Sequence, residues 1–304
     1  MKSIQILILI LFVPLTSICQ NKKFSSFSTA LTEPEKVKWL DLDCKELSDF
    51  SEKIKELPNV SSLYLTNCDL KEVPKGLKHL QKLTLLNIQG NSLSELPEEL
   101  YKLNMISVIN VRGNNFYKLP PLLSSLTNLR EIDLAENDML DFEQALSVLS
   151  EVKNLDFLYL SGNKLKKLPV GLSNLKKLNE LHLNNNPDLD LEQAIRIISQ
   201  IESLRILVMS NNNLSVVPNM ESLKQIEGLV LDNNPNISIE DLADQIQNLS
   251  NIKVILYRNN NLKRLPDDLS GFSSLKLLEL SKNEFSEKEK TRIRNLLKET
   301  KVIF

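Results

Sequence analysis

One pattern recurs eleven times between Val37 and the C-terminus. Position 1 is apolar, as are positions 4 and 6, position 9 is nearly always Asn, and position 11 is apolar except at Asp188 and Asn236. The repeats begin at Val37, Val60, Leu83, Ile106, Leu129, Leu155, Leu178, Leu204, Ile226, Ile252 and Leu275. Their spacings are 23, 23, 23, 23, 26, 23, 26, 22, 26 and 23 residues, so the register holds across nearly the whole chain. Positions 4 and 6 alternate with period two. They therefore point inward from a short strand, while positions 3 and 5 point out. One such coil cannot bury its inward face alone. Neighbouring coils must stack, and their strands then join in a parallel sheet lining one side of a solenoid.

Position 9 reads Lys45, Cys68, Asn91, Asn114, Asn137, Asn163, Asn186, Asn212, Asn234, Asn260 and Asn283. An amide buried beside a turning chain has to bond backbone groups of the adjacent coils, which is the role expected of the nine Asn. The full pattern, Leu-x-x-Leu-x-Leu-x-x-Asn/Cys-x-Leu, resembles the leucine-rich-repeat family, with its short exported bacterial members as the nearest likeness. That resemblance implies an α/β fold: a right-handed horseshoe solenoid with a parallel sheet on its concave face and mixed extended and helical returns on its convex face.

The returns are of two kinds. Leu57-Pro58, Val73-Pro74, Leu96-Pro97, Leu119-Pro120, Leu168-Pro169, Val217-Pro218 and Leu265-Pro266 predict extended or single-turn segments, because proline fixes φ and disfavours helix just before it. The longer returns open on capping boxes: Asp141-x-x-Gln144, Asp190-x-x-Gln193, Ser286-x-x-Glu289 and a weaker Ser238-x-x-Asp241. Apolar residues at helical spacing follow, as at Ala194, Ile195, Ile198 and Ile201. From Leu129 the two kinds alternate every 48 or 49 residues, so the unit there is a pair of coils. The expected organisation is a leader over 1–19, an N-terminal cap over 20–36, eleven coils over 37–285, and a C-terminal helix and strand over 286–304. Lys45, in the first coil, reads as part of the capping.

The leader expectation rests on Lys2 followed by an apolar run from Ile4 to Leu15, too short to span a bilayer. Ser17 and Cys19 are small residues placed for cleavage near Cys19/Gln20. Lipid anchoring at Cys19 is the competing reading, which the large Ile18 disfavours. The chain is expected to be exported, to periplasm, cell surface or medium. Only Cys44 and Cys68 then remain, too few for a disulfide framework. Two semi-buried thiols are the expectation, with a single bridge as the alternative.

Composition and motifs argue for binding over catalysis. The formal net charge of -2 gives no reason to expect nucleic acid. The two His, His79 and His182, lie far apart with no Cys cluster near either, so no metal site is expected. Neither a glycine-rich phosphate loop nor a nucleophile elbow is present, and no cofactor is implied. The outward strand positions are the candidates. Tyr64, Phe157, Tyr159 and His182 supply aromatic side chains, and Phe157, Tyr159 and His182 lie beside Glu131, Asp133 and Glu180. Ile206, Val208, Val230, Val254, Leu256 and Leu277 make an apolar stripe expected to face solvent, large enough to mark a contact surface. The expected protein is a non-catalytic, monomeric module binding a protein partner on its concave face. The alternative is a glycan- or surface-binding adhesin, with Tyr64, Phe157 and Tyr159 stacking on sugars and Asn87, Asn110 and Asn184 bonding hydroxyls.

Overall fold

The computed structural model describes residues 22–304, so the expected leader and its processing at Cys19 lie outside the described residues. The described chain falls into two compact units, dividing after Tyr159.

The first unit carries β1 (Lys23–Phe24), α1 (Phe27–Ala30), β2 (Trp39–Asp41), α2 (Phe50–Lys53), β3 (Ser62–Tyr64), β4 (Leu85–Asn87), β5 (Val108–Asn110), β6 (Glu131–Asp133), α3 (Phe142–Ser150) and β7 (Phe157–Tyr159). Its strands pair in sequence order, all parallel, with Trp39 opposite Ser62, Ser62 opposite Leu85, and so on to Glu131 opposite Phe157. The second unit carries β8 (Glu180–His182), α4 (Leu191–Ile198), β9 (Ile206–Val208), β10 (Gly228–Val230), α5 (Ile239–Ile246), β11 (Val254–Leu256), β12 (Leu277–Glu279), α6 (Glu287–Leu296) and β13 (Lys301–Ile303). Its sheet is likewise parallel and in register. The strands β2 to β12 each begin two residues after a predicted repeat start. The fold is an α/β leucine-rich-repeat solenoid, right-handed as crossovers between adjacent parallel strands are.

The middle residue of each strand forms the core. Leu63, Leu86, Ile109, Ile132 and Leu158 in the first unit, and Leu181, Leu207 and Ile255 in the second, are wholly buried. Each such side chain stabilises the fold by about 1.5–3 kcal/mol relative to exposure. Position 9 behaves as its chemistry requires. Asn234 accepts the backbone N–H of Asn212 at 3.0 Å and of Leu214 at 3.2 Å, and donates to the carbonyls of Met209 at 3.0 Å and Leu231 at 3.2 Å. Asn91, Asn114, Asn186 and Asn283 make the same kind of bridge to the preceding coil.

The residue just before position 9 takes left-handed backbone in ten coils: Asn67, Gly90, Gly113, Glu136, Gly162, Asn185, Asn211, Asn233, Asn259 and Lys282. Asn and Gly tolerate that region best, which explains why they dominate there. At Gly90 the need is double, since a Cβ would collide with the Asn67 side chain. The first coil breaks this rule. Cys44 at the equivalent position instead starts a 3-10 segment, Cys44–Asp49, so Lys45 never reaches a ladder position.

Cys44 and Cys68 are bridged, with Cα atoms 5.3 Å apart. The expectation of two separate thiols is therefore corrected. Cys68 occupies an Asn position and lacks an amide to hold the preceding coil, and the covalent bond to Cys44 makes that connection instead. The cap expected between Phe27 and Glu35 is present in part as α1, whose Phe27 is buried against Phe50 with ring centroids 6.2 Å apart. The two-residue β1, which adds an edge to the sheet beside β2, was not foreseen.

Both kinds of return form as predicted from the second coil on, and hydrogen bonds tie them in pairs. In the first coil the return before Leu57-Pro58 is helical from Cys44 to Glu56, because the proline bars helix only at the residue just before it. Pro97, Pro120 and Pro169 each lead directly into a 3-10 turn. Asp141, Asp190, Ser238 and Ser286 cap α3 to α6 by accepting the third backbone N–H. In a capping box the second residue reaches back to its own cap. Here it reaches across. Gln144 accepts the N–H of Leu119 at 2.9 Å and donates to its carbonyl at 2.7 Å, and Gln193 does the same to Leu168 at 2.9 and 2.7 Å. In α5 the reach comes instead from Gln245, four residues beyond the box residue Asp241, which accepts from Met220 at 3.1 Å. Glu289 accepts from Leu265 at 3.1 Å, while Arg292 donates to the carbonyls of Leu265 and Pro266. Each helical return thus binds the backbone of the Leu/Val-Pro return before it, a physical basis for the two-coil period.

Candidate binding surface

Three-residue strands leave two side chains per coil on the face opposite the core. In the first unit this face is mixed. Trp39, Asp41, Val108, Asn110, Glu131, Asp133, Phe157 and Tyr159 are partly exposed, while Ser62, Tyr64, Leu85 and Asn87 are buried. Tyr64 does not join Phe157 and Tyr159, which stand four strands away on β7, about 19 Å at the usual strand spacing. Its ring instead lies 5.9 Å from that of Trp39. Lys23 stands over Trp39 and pairs with Asp41 at 2.5 Å. Burial, and then the nearby Asp41 charge, push the Tyr64 hydroxyl above the ordinary tyrosine range. The Trp39 indole N–H has no hydrogen-bond partner. Neither Trp39 nor Lys23 had been picked out as a site residue. Trp39 is visible as an outward position, but Lys23 lies before the first repeat.

The outward Asn amides are partly engaged within the chain. Asn87 accepts the N–H of Gln89 at 3.1 Å, Asn110 accepts that of Arg112 at 3.0 Å and donates to Gln89, and Asn184 accepts that of Ser210 at 2.7 Å.

The second unit presents a different face. Ile206, Gly228, Val254 and Leu277 form one column across β9 to β12, and Val208, Val230 and Leu256 form the next, ending at Glu279. The register places the expected stripe together, but not in solvent: Ile206, Val208, Val230, Val254, Leu256 and Leu277 are all buried. Strands about 4.8 Å apart put branched side chains of one column in contact, so that Val208, Val230 and Leu256 shield one another from water. On both faces of these strands, therefore, the residues are apolar, as in sheets covered on two sides.

At the edge of the stripe, Glu180 lies opposite Ile206 and His182 opposite Val208. The His182 Nε2 sits 2.5 Å from Glu180 Oε1. Glu180 is 2% exposed, and its second carboxylate oxygen has no hydrogen-bond partner. A desolvated, unbonded carboxylate oxygen is costly unless something complements it. At the rim, Arg258 closes on Asp232 through its backbone N–H at 2.7 Å and its Nε at 2.8 Å. Among the described residues no group of three or more His, Cys, Asp or Glu is placed to hold a metal ion, and no helix is long and apolar enough to cross a membrane.

A parallel-stranded repeat sheet with two outward columns per coil defines the class of solenoid repeat scaffolds. Residues 17–231 match the leucine-rich repeat region family, and the chain belongs to that family. No curated protein matches the chain. Among solved structures, an internalin of Listeria monocytogenes is similar at 22% identity with a TM-score of 0.55, over 86% of this chain and 82% of that one. A leucine-rich-repeat protein of Leptospira interrogans aligns at 22% identity over 93% of this chain and 100% of that one, with a TM-score of 0.40. Domains of this family generally mediate protein interactions and are typically non-catalytic scaffolds.

Proposed function

We propose that this protein is an exported, non-catalytic module that takes a protein partner on the sheet face opposite its core. In the second unit that face centres on Ile206, Val208, Val230, Val254 and Leu256, bordered by His182. Phe157 and Tyr159 supply the aromatic part in the first unit. The observation that carries the reading is the chemistry of β8 to β12. Four successive strands are apolar on the face that water would ordinarily occupy, and a carboxylate oxygen beside them lacks a partner. Because these side chains are already packed together, the contact rests on the partly exposed Phe157 and Tyr159, aromatic residues next to charges being typical binding anchors. Export is supported by the Cys44–Cys68 bridge, since disulfides persist in oxidising compartments. The domain limits follow the same reading: a cap before Val37, eleven coils, and a closing helix and strand from Ser286.

The test is affinity capture from an envelope extract with the intact protein and a Tyr159→Ser, Val208→Ser, Val230→Ser variant whose circular dichroism matches it. Capture of a defined partner by the first alone supports the surface. Equal capture by both removes it. A second reading, glycan binding, has one specific observation behind it: the Trp39–Tyr64 pair with its unbonded indole N–H. A glycan array that stays blank at high protein concentration eliminates it.

A further inference from the structure

The shortest coil of the chain opens a groove on the return side of the second unit. In the coil from Leu155, five residues separate Pro169 from the buried Leu175, and a 3-10 turn, Val170–Asn174, fills that distance. The coil from Leu204 has four between Pro218 and the equivalent Leu223, and no 3-10 helix forms there. The missing residue leaves a groove of about 510 Å³ between this return and α4, lined by Ile195 and Pro218 and by the charges of Glu192, Arg196, Glu221 and Lys224. That volume is within the usual range for ligand sites.

Two features set the groove apart from an ordinary solvated surface. Opposite charges three or four residues apart close into ion pairs elsewhere, at Asp49–Lys53, Glu287–Lys290 and Glu289–Arg292. Glu192 and Arg196 have the same four-residue spacing, and Glu221 and Lys224 the three-residue spacing, yet none of these four forms an ion pair among the described residues. The return also forms neither helix nor strand at its proline, and the backbone N–H of the exposed Asn219 has no hydrogen-bond partner among the described residues. An unpaired backbone donor is available to the carbonyl of an added peptide segment.

We propose that this groove is a second binding site, distinct from the sheet face, for an extended peptide segment of a protein partner carrying both acidic and basic side chains around a small aliphatic residue. The aliphatic side chain packs on Ile195 and Pro218. Basic side chains meet Glu192 and Glu221, acidic ones meet Arg196 and Lys224, and a peptide carbonyl accepts from Asn219. Charges of both signs on the walls disfavour segments of a single sign, so specificity comes from the mixed pattern.

The experiment is an amide NMR titration of the full protein at low salt with the synthetic peptide acetyl-Ser-Lys-Val-Glu-Val-Lys-Ser-amide. Peptides with all charges Lys or all Glu serve as controls. Saturable shifts at Arg196, Asn219 and Glu221, at least threefold tighter for the mixed peptide, are expected. Two variants complete it: one Gly inserted between Asn219 and Met220, restoring the five intervening residues, and Glu192→Gln, Arg196→Gln, Glu221→Gln, Lys224→Gln together. Each should weaken binding about tenfold. The surface quadruple variant keeps the test valid if the insertion fails to fold. No shift at about 10 mM peptide, equal binding of the single-sign peptides, or undiminished binding by the folded variants overturns the proposal. Val208→Ser with Val230→Ser should leave this binding unchanged, so its failure and that of the sheet-face reading are told apart.

Discussion

Replacing Asn234 by Leu tests the logic of the whole ladder. Asn234 is fully buried, and its amide serves five backbone groups of its own and the preceding coil. Leucine has a similar size and no polar atoms, so the substitution strands the N–H groups of Asn212 and Leu214 with little change in volume. Each buried, unsatisfied donor costs about 1–3 kcal/mol, and the three carbonyls lose a bond worth about 1 kcal/mol each or less. Because the carbonyls keep other ways to be satisfied, the expected loss is about 3–5 kcal/mol. The assay is urea unfolding, read together with amide hydrogen exchange at Asn212 and Leu214, because a repeat array need not unfold in one step. The control is Asn236→Ala, an exposed residue whose side chain donates only to Asn213, with an expected change under about 0.5 kcal/mol. A loss for Asn234→Leu no larger than the control, with unchanged exchange at Asn212 and Leu214, would refute the claim that these amides hold the coils together.

Reducing the Cys44–Cys68 bridge should destabilise the first unit by about 3 kcal/mol, the loop-closure value for a separation of 24 residues. Thermal unfolding with and without reductant checks this, and identical curves would count against a structural role. Gln193→Glu keeps the acceptor for Leu168 N–H but loses the donor to its carbonyl, so it should cost less than Gln193→Ala, which is expected near 2 kcal/mol. Equal losses on denaturation would mean that the acceptor retained by Glu contributes nothing. Arg292 beside Glu289 holds that carboxyl below its ordinary value of 4.5. A lowered carboxylate pKa adds stability that is complete above the unfolded value and lost as pH falls through the folded one. The closing helix should therefore loosen below about pH 4.5, and Glu289→Gln should flatten that part of the stability profile; an unchanged profile in the variant would contradict the assignment.

The repeat period, the two kinds of return and the buried amides were legible in the sequence because each rests on local chemistry. Alternation at positions 4 and 6 sets the strand, proline excludes helix from the residue before it, and the capping residues announce α3 to α6. Tyr64 shows where that reading stops: it was grouped with Phe157 and Tyr159 by residue type, whereas strand order sets it beside Trp39. The stripe from Ile206 to Leu277 was assembled correctly from period and register, but its burial depends on what neighbouring strands place around each side chain. Likewise, spacing permitted a bond between Cys44 and Cys68, and only the 3-10 turn at Cys44 brought the two within bonding reach. The cross-coil grip of Gln144 and Gln193 was hidden because a capping box names the local partner, while stacking supplies a different one. By itself, then, the sequence determined the coil and how it repeats. Tertiary structure decided which side chains of different coils meet, because that is set by strand spacing and return length rather than by any residue's own preference.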